Sequence, residues 1–350
     1  MSTGGKPRIA ITMGDPVGIG PEIIIKALEE DIIWERCIPI VFGDSGVMHK
    51  SQALLGSKLR VRQIHDIADE KIAGKYINLF PVSNLEMDQF SYGKPTRETG
   101  KAMVAYIQKA THLALRKSID AVVTCPINKA AMSLAGYPYP GHTELLAHET
   151  KAADYAMMLA GEKLRVVLVT IHHAFRQVPE LLSRGKIVST IHLSDLALKQ
   201  YFGISEPRLA VAALNPHAGE GGLFGDEEAL TIAPAVQRSK EEGINVAGPY
   251  PADSLFFYAV KGDFDAVICM YHDQGLIPLK LLYFEEAINV TLGLPIIRTS
   301  VDHGTAYNIS GTGKANHRSL VNAITAAADM VLAQSMFAKR KPAQFFSCFS

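Results

Sequence analysis

An α/β fold in two lobes is the class this sequence predicts, and three observations predict it. Apolar, β-rich runs alternate with amphipathic helical stretches. Several runs end in clusters of polar residues, as buried parallel strands do on their ligand-facing side. The 350 residues exceed what one compact core normally holds. Composition agrees, with 48% hydrophobic and 20% charged residues. Lys+Arg and Asp+Glu are both 35, so the net charge is zero and there is no basic surplus of the kind nucleic-acid binding needs. A local cationic site for a small anion remains compatible with this balance.

The four cysteines, Cys37, Cys125, Cys269 and Cys348, form no C-x-x-C pair. Cys125 and Cys269 fall in strand-like runs and read as buried thiols, a reduced, cytoplasmic pattern. The first six residues lack the apolar core of a signal peptide, and no apolar run reads as long enough to span a membrane. Neither a nucleic-acid nor a membrane partner is therefore expected.

Taken in order, 8–13 reads as a first strand. Gly14-Asp15-Pro16-Val17-Gly18-Ile19-Gly20-Pro21-Glu22 follows, with a helix starting at Pro21. Its glycines allow a tight strand-to-helix turn and bring backbone N–H groups near a ligand, although a purely structural turn has the same look. Short strands are expected at 38–42, 59–62 and 76–80. Thr96 caps a long amphipathic helix reaching about Lys117. Strand 121–124 ends at Cys125-Pro126-Ile127-Asn128-Lys129. Gly136 to Gly141 breaks the pattern, and His142-Thr143-Glu144 opens a helix whose N-terminus suits an anion, with Thr143 as a simple cap the competing reading.

Three later strands share one ending. The run 166–170 precedes His172, 209–214 precedes His217, and 266–270 precedes His272. A lone histidine at a strand end is usually a hydrogen-bonded core residue. Three at equivalent ends reverse that weighting, because adjacent strand ends converge, and three imidazoles around an open position suit a catalytic divalent metal. His173 competes with His172 for the inward position. Asp253 and Asp273 are further ligands or partners that fix histidine tautomers. Downstream, Lys280, Asn289 and Arg298 supply two cations and an amide for an anionic substrate, and surface ion pairing is the alternative for the two cations.

Several of these motifs resemble one known family. They are Ile11-Thr12-Met13-Gly14-Asp15-Pro16 with Gly18-Ile19-Gly20-Pro21-Glu22, Gly141-His142-Thr143-Glu144, Asn215-Pro216-His217-Ala218-Gly219-Glu220, Tyr271-His272-Asp273-Gln274-Gly275, and Arg298 to Thr305. In order, from about residue 8 to 330, they are similar to the 4-hydroxythreonine-4-phosphate dehydrogenases of pyridoxal-phosphate biosynthesis. Ile277 to Leu282 is closer to a sister group acting on 4-phospho-D-threonate or 4-phospho-D-erythronate.

The resemblance implies an isocitrate/isopropylmalate dehydrogenase-like fold, two α/β lobes with a central cleft, in a homodimer with the active site at the subunit interface. The lobes would be 1–133 with 305–350, and 134–304, the second carrying most metal and substrate residues. His172, His217 and His272 would bind zinc, magnesium or cobalt, His172 being preferred to His173 by its spacing to Arg176. His142, Thr143, Lys280, Asn289 and Arg298 would bind the phosphorylated hydroxy acid. Lys280, Asp253 and Asp273 are the catalytic candidates, with the proton acceptor left open among Lys280, Asp253 and a metal-bound water. The run from His303 to Asn316 looks like the adenosine-binding loop of the β-hydroxyacid dehydrogenases, which assigns His303, Gly304, Thr305, Ala306 and Asn316 to NAD or NADP. His317 and Arg318 either favour a 2′-phosphate or are surface charge, which leaves NAD and NADP both open. The expected reaction oxidises C3 and then decarboxylates. An acyl or phosphoryl transferase related to the phosphotransacetylases, and a non-catalytic metal- or phosphate-binding module, are the rival classes. The segment from about residue 335 stands outside the resemblance.

Overall fold

The computed structural model describes residues 5–71, 76–86 and 89–340. In chain order the first part forms β1 (Arg8–Thr12), α1 (Gly20–Leu28), α2 (Asp31–Arg36), β2 (Ile38–Asp44), α3 (Ser45–Leu55), β3 (Arg60–Gln63), β4 (Tyr76–Ser83), α4 (Arg97–Leu115), β5 (Ala121–Thr124), α5 (Lys129–Leu134) and α6 (His142–Thr150). Then come β6 (Ala156–Ala160), β7 (Arg165–Leu168), α7 (Val178–Leu181), α8 (Arg184–Tyr201), β8 (Leu209–Ala212), α9 (Ala233–Glu241), β9 (Val246–Tyr250), α10 (Ala252–Val260), β10 (Ala266–Cys269), α11 (His272–Tyr283) and β11 (Ile288–Leu292). The chain closes with β12 (Ile297–Val301) and α12 (Arg318–Arg340). The α/β class read from the sequence holds.

Two compact units divide these elements, one ending at Ala153 and resuming over Leu294–Val331, the other over Asp154–Gly293. The sequence placed the divisions after residues 133 and 304. Helix α6 packs on α4, and β12 pairs in parallel with β5 from Ile297↔Ala121 to Ser300↔Thr124, so both segments go with the first unit. The tail beyond residue 340, including Lys341 and Cys348, lies outside the described residues.

In the first unit all five pairings along β3-β4-β2-β1-β5-β12 are parallel. Strands buried on both faces need apolar side chains throughout, which is why Ile9, Ile11, Ile40, Val41, Val122 and Val123 run without polar alternation. Each such side chain contributes about 1.5–3 kcal/mol on burial. The Thr96 cap is as expected. Thr99 N donates to Thr96 Oγ1 at 3.2 Å and Thr96 N donates to Thr99 Oγ1 at 2.9 Å, a reciprocal box that starts α4.

Helix α12 departs from the expectation that no segment is long and apolar enough to cross a membrane. Over Arg318–Lys339 it is 22 residues long and contains an 18-residue window of mean hydropathy 1.3, sufficient by length and composition. Leu320, Ala323, Ile324, Ala327 and Ala328 make a stripe at helical spacing, buried in the first unit, and Thr299 Oγ1 of β12 donates to Ala323 O at 2.8 Å. A stripe of this spacing is the ordinary packing face of a core helix.

In the second unit β11-β6 and β6-β7 are antiparallel, and β7-β10, β10-β8 and β8-β9 are parallel. Its core gathers Leu159, Val166, Leu168, Ala210, Val267, Cys269, Leu255 and Leu279. The three strands that precede the histidines are therefore neighbours, with β10 in the middle.

Candidate active site

Parallel strands expose their C-terminal ends on one edge, so the segments after β7, β10 and β8 emerge side by side. His272 is the first residue of α11, which starts at the end of β10 rather than after a polar loop. His172 follows β7. The His172 and His272 ring centroids lie 5.7 Å apart at 42°. With His173, Ile171, Phe175, Val178, Tyr271 and Asp273 they line a cavity of about 250 Å³. His172 is the histidine whose ring lies tilted against His272, while His173 also borders the cavity.

Asp273 Oδ1 lies 2.7 Å from His272 Nδ1. Glu220 Oε2 lies 2.8 Å from His217 Nδ1. A carboxylate on one ring nitrogen fixes the tautomer and leaves Nε2 as the basic donor, the usual arrangement behind a metal-binding histidine. Two imidazoles sharing an ion at about 2.0–2.1 Å have centroids about 5–6 Å apart, so the His172–His272 pair fits as two ligands of one cation.

The third histidine does not join them within the chain. Among the described residues no three His, Cys, Asp or Glu side chains form a metal-holding group. His217 lies in the turn Pro216–Gly222, where six consecutive residues from His217 to Gly222 have positive φ. That left-handed run turns the ring toward Phe224, 5.9 Å between centroids, and onto Glu220. Asp253 lies exposed in the first turn of α10 and is absent from the cavity lining. Lys280 is half-buried on α11 with Nζ 5.7 Å from the Phe284 ring centroid, and Asn289 is half-buried on β11.

The other anion-binding candidates cluster in the first unit. Arg298 on β12 is fully buried beside β5, and its Nη2 donates to Thr124 Oγ1 at 2.6 Å. Burial lowers its pKa to about 9, and Glu144 opposes that. His142 opens α6. Burial, then Arg298 and Lys129, drive its pKa well below the usual histidine range, and its Nε2 has no hydrogen-bond partner among the described residues. The ring is therefore neutral at pH 7. The cap of α6 is Gly141, with no side-chain cap bond, so capping does not account for Thr143, which is buried at the second helical position. A cation, a neutral imidazole and a helix N-terminus together suit a phosphate or carboxylate.

The glycine-rich loop between β12 and α12 is fastened to α1. Buried Glu22 accepts from Gly311 N at 2.5 Å and Gly313 N at 2.7 Å, while Lys26 Nζ donates to Gly313 O at 2.5 Å and Ala315 O at 2.9 Å. Thr305 O accepts from Ile19 N at 3.2 Å, and Gly18 is small because a Cβ there would lie 3.2 Å from Thr305 Cβ. Tyr307 donates to buried Asp15 at 2.5 Å, and burial raises the Asp15 pKa. The early Gly14–Glu22 motif and the late loop are thus one substructure. His303 and Gly304 are exposed on it, and Ala306, with φ 43°, is half-buried. Asn316 spends its Oδ1 on Arg318 N at 2.9 Å, at the start of α12.

Sequence reading missed Thr124, Glu22, Lys26, Asp15 and Tyr307 as site-supporting residues. Thr124 carried a signal, standing at the end of an apolar strand before a polar loop; the others bond to partners almost 300 residues away.

A family model described as pyridoxal phosphate biosynthetic protein PdxA matches residues 35–327. A 4-hydroxythreonine-4-phosphate dehydrogenase from Desulfosudis oleivorans is 53% identical over 97% of this chain and 99% of its own. A D-threonate 4-phosphate dehydrogenase from Salmonella typhimurium is 44% identical over 90% of this chain and 96% of its own. The crystal structure of a 4-hydroxythreonine-4-phosphate dehydrogenase from Klebsiella pneumoniae superposes with a TM-score of 0.86 at 43% identity, covering 95% of this chain and 99% of that one.

Proposed function

The chain belongs to the PdxA family, and on that premise we propose that it is an NAD(P)- and divalent-metal-dependent dehydrogenase of 4-hydroxythreonine 4-phosphate. It oxidises the C3 hydroxyl, and the β-keto acid then loses carbon dioxide to give 3-amino-2-oxopropyl phosphate. The observation that carries this reading is the His172–His272 pair, 5.7 Å apart at adjacent strand ends, with Asp273 on the back of His272. The relatives named for this substrate that are 48–53% identical favour it over D-threonate 4-phosphate, whose named relatives are 42–44% identical. The similarity of Ile277–Leu282 to the sister group is what keeps D-threonate or D-erythronate 4-phosphate as the second reading.

A divalent ion would be held by His172 and His272, and His217, which does not join that pair within the chain, would be the third donor only in the assembled protein. A bound divalent ion supplies Lewis acidity toward the reacting hydroxyl, and the nicotinamide supplies the hydride acceptor. Asp273 and Glu220 keep the histidine tautomers that present Nε2. Arg298 binds one anionic group of the substrate, Thr143 and the first turn of α6 bind with it, and neutral His142 accepts a hydrogen bond rather than adding charge. Lys280 and Asn289 contact the remaining polar groups. The hydroxyl proton leaves to Lys280 or Asp253, hydride leaves C3, and a proton returns to C2 once carbon dioxide has gone. His303, Gly304, Thr305, Ala306 and Asn316 border the nucleotide, on a loop held by Glu22 and Lys26. Pairing of two copies through exposed apolar side chains of the second unit completes the assembly.

The test is nicotinamide reduction with 4-hydroxythreonine 4-phosphate and with D-threonate 4-phosphate, under NAD and NADP, with and without added zinc, magnesium or cobalt. Metal-stimulated turnover of the first substrate is expected, falling by at least about 100-fold in His272→Ala, since a metal ligand is removed outright. Undiminished turnover in metal-stripped His272→Ala protein refutes the ligand assignment.

A further inference from the structure

The His142 ring is bonded on one side only. Its Nε2 is buried with no hydrogen-bond partner among the described residues. On the other side the Cys125 backbone favours the protonated nitrogen, so the Cys125 carbonyl accepts from Nδ1–H. In a neutral imidazole one nitrogen donates and the other accepts, which makes Nε2 the acceptor. Arg298 and Lys129 lie near the ring and add like charge, so Nε2 does not pick up a proton of its own. A histidine kept for packing alone would have both nitrogens satisfied, because a buried acceptor without a donor is costly. The lone pair on Nε2 calls for a ligand that brings a proton.

The groups around the ring call for negative charge. Arg298 is 2% exposed, and its Nη2 is fixed on Thr124 Oγ1 at 2.6 Å. Thr143 is buried, and α6 begins at Gly141 with no side-chain cap, so the first-turn N–H groups suit an anionic acceptor. Burial strengthens each of these interactions. Donors that want an anion and one acceptor that wants a proton are met together by an oxyanion that still carries hydrogen. A carboxylate carries none at neutral pH, and neither does a sulfate. A phosphate monoester, with a second pKa of about 6, carries one in about a tenth of its molecules at pH 7, and a site can select that form.

We propose that His142 Nε2 accepts the P–OH proton of a phosphate monoanion held by Arg298 and the first turn of α6, and that this bond selects phosphate over carboxylate and sulfate. The inference rests on the reading of these residues as a substrate-anion site. It also gives the substrate a direction, with its phosphate rather than its carboxylate at Arg298.

The experiment is calorimetric titration of the full chain at pH 7 and one ionic strength with two anions. Inorganic phosphate keeps a proton throughout the neutral range, and sulfate keeps none. The wild type is expected to bind phosphate about 10–100-fold more tightly than sulfate, since an aprotic oxygen against Nε2 leaves the buried lone pair unsatisfied. His142→Leu removes the acceptor, and His142→Asn offers an amide that can turn its N–H toward the anion. In both the preference should disappear, with sulfate binding better to His142→Asn than to the wild type. Should His142→Leu fail to fold, His142→Asn and the wild-type ratio decide. Equal binding of the two anions by the wild type, or an undiminished preference for phosphate in a folded His142 variant, overturns the proposal and leaves the anion site standing. Binding of neither anion by the wild type refutes the anion-site reading itself, and the proposal with it.

Discussion

His142 illustrates how much a single buried ring can govern. Desolvation alone disfavours imidazolium, and the neighbouring Arg298 and Lys129 add like charge, so the folded ring resists protonation far below the ordinary range. The unfolded ring titrates near pH 6.5. Above that pH both states are neutral and the residue adds no pH dependence. As pH falls below it, the unfolded chain takes up a proton that the folded chain refuses, and stability drops by roughly 1 kcal/mol per pH unit from this group. Urea denaturation at pH 7 and pH 5.5 is therefore expected to show a smaller acid loss in His142→Gln than in the wild type. Equal losses would mean that His142 is not the group involved. This residue was legible as an anion-site candidate because a helix opened on His142-Thr143-Glu144. Its neutrality was not legible, since that depends on Arg298, brought beside it only by the pairing of β12 with β5.

At the scale of elements, α1 and the glycine-rich loop act as one part. The loop needs left-handed backbone at Gly311 and Gly313, φ 76° and 71°, and the two amides there converge on the single buried carboxylate of Glu22. Glu22→Ala leaves both N–H groups without an acceptor, at an expected cost of about 2–5 kcal/mol. Amide exchange over 309–315 should rise, and the KM for the nicotinamide nucleotide should increase several-fold with a smaller change in kcat. Glu22→Gln, which keeps one acceptor oxygen, should lie between. Unchanged exchange in Glu22→Ala would exclude the fastening role. Both motifs stood out in the sequence, Gly14–Glu22 as a strand-to-helix turn and His303–Asn316 as a nucleotide loop, but nothing in either says that they bind each other. The strand ends before His172, His217 and His272 were read from apolar runs alone, and their adjacency followed. The left-handed turn that sets His217 against Glu220 was hidden, because six successive positive φ angles, three of them at non-glycine residues, have no local sequence signature.

The whole molecule poses the question of what covers its apolar surface. Ile277, Leu281 and Phe284 recur along one side of α11 at helical spacing and are 67%, 84% and 75% exposed, while Phe257 and Tyr258 on α10 are 58% and 49% exposed. Opposite them on α11, Leu276 and Leu279 fill the core of the second unit, so the helix is apolar on two sides. A helix apolar on two sides is buried on two sides in its working state. The proposal that the active site is completed at a subunit interface expects that cover from homodimerisation through the second unit. On that proposal His217, which forms no three-membered group with His172 and His272 among the described residues of its own chain, is the proposed ligand whose placement depends most on assembly. The wild type is expected to sediment at twice the 38.0 kDa chain mass. Leu281→Glu places a charge in the centre of the stripe, which costs several kcal/mol if buried without a partner, enough to shift the sedimentation coefficient toward the monomer at micromolar concentration. Because Leu281 is outside the core, the melting curve of the isolated subunit should change little. Nicotinamide reduction should fall along with dimer content across a dilution series. A Leu281→Glu protein that stays dimeric, or a wild type that sediments as a monomer with full activity, would detach the catalytic site from assembly and leave the apolar stripe of α11 to another partner.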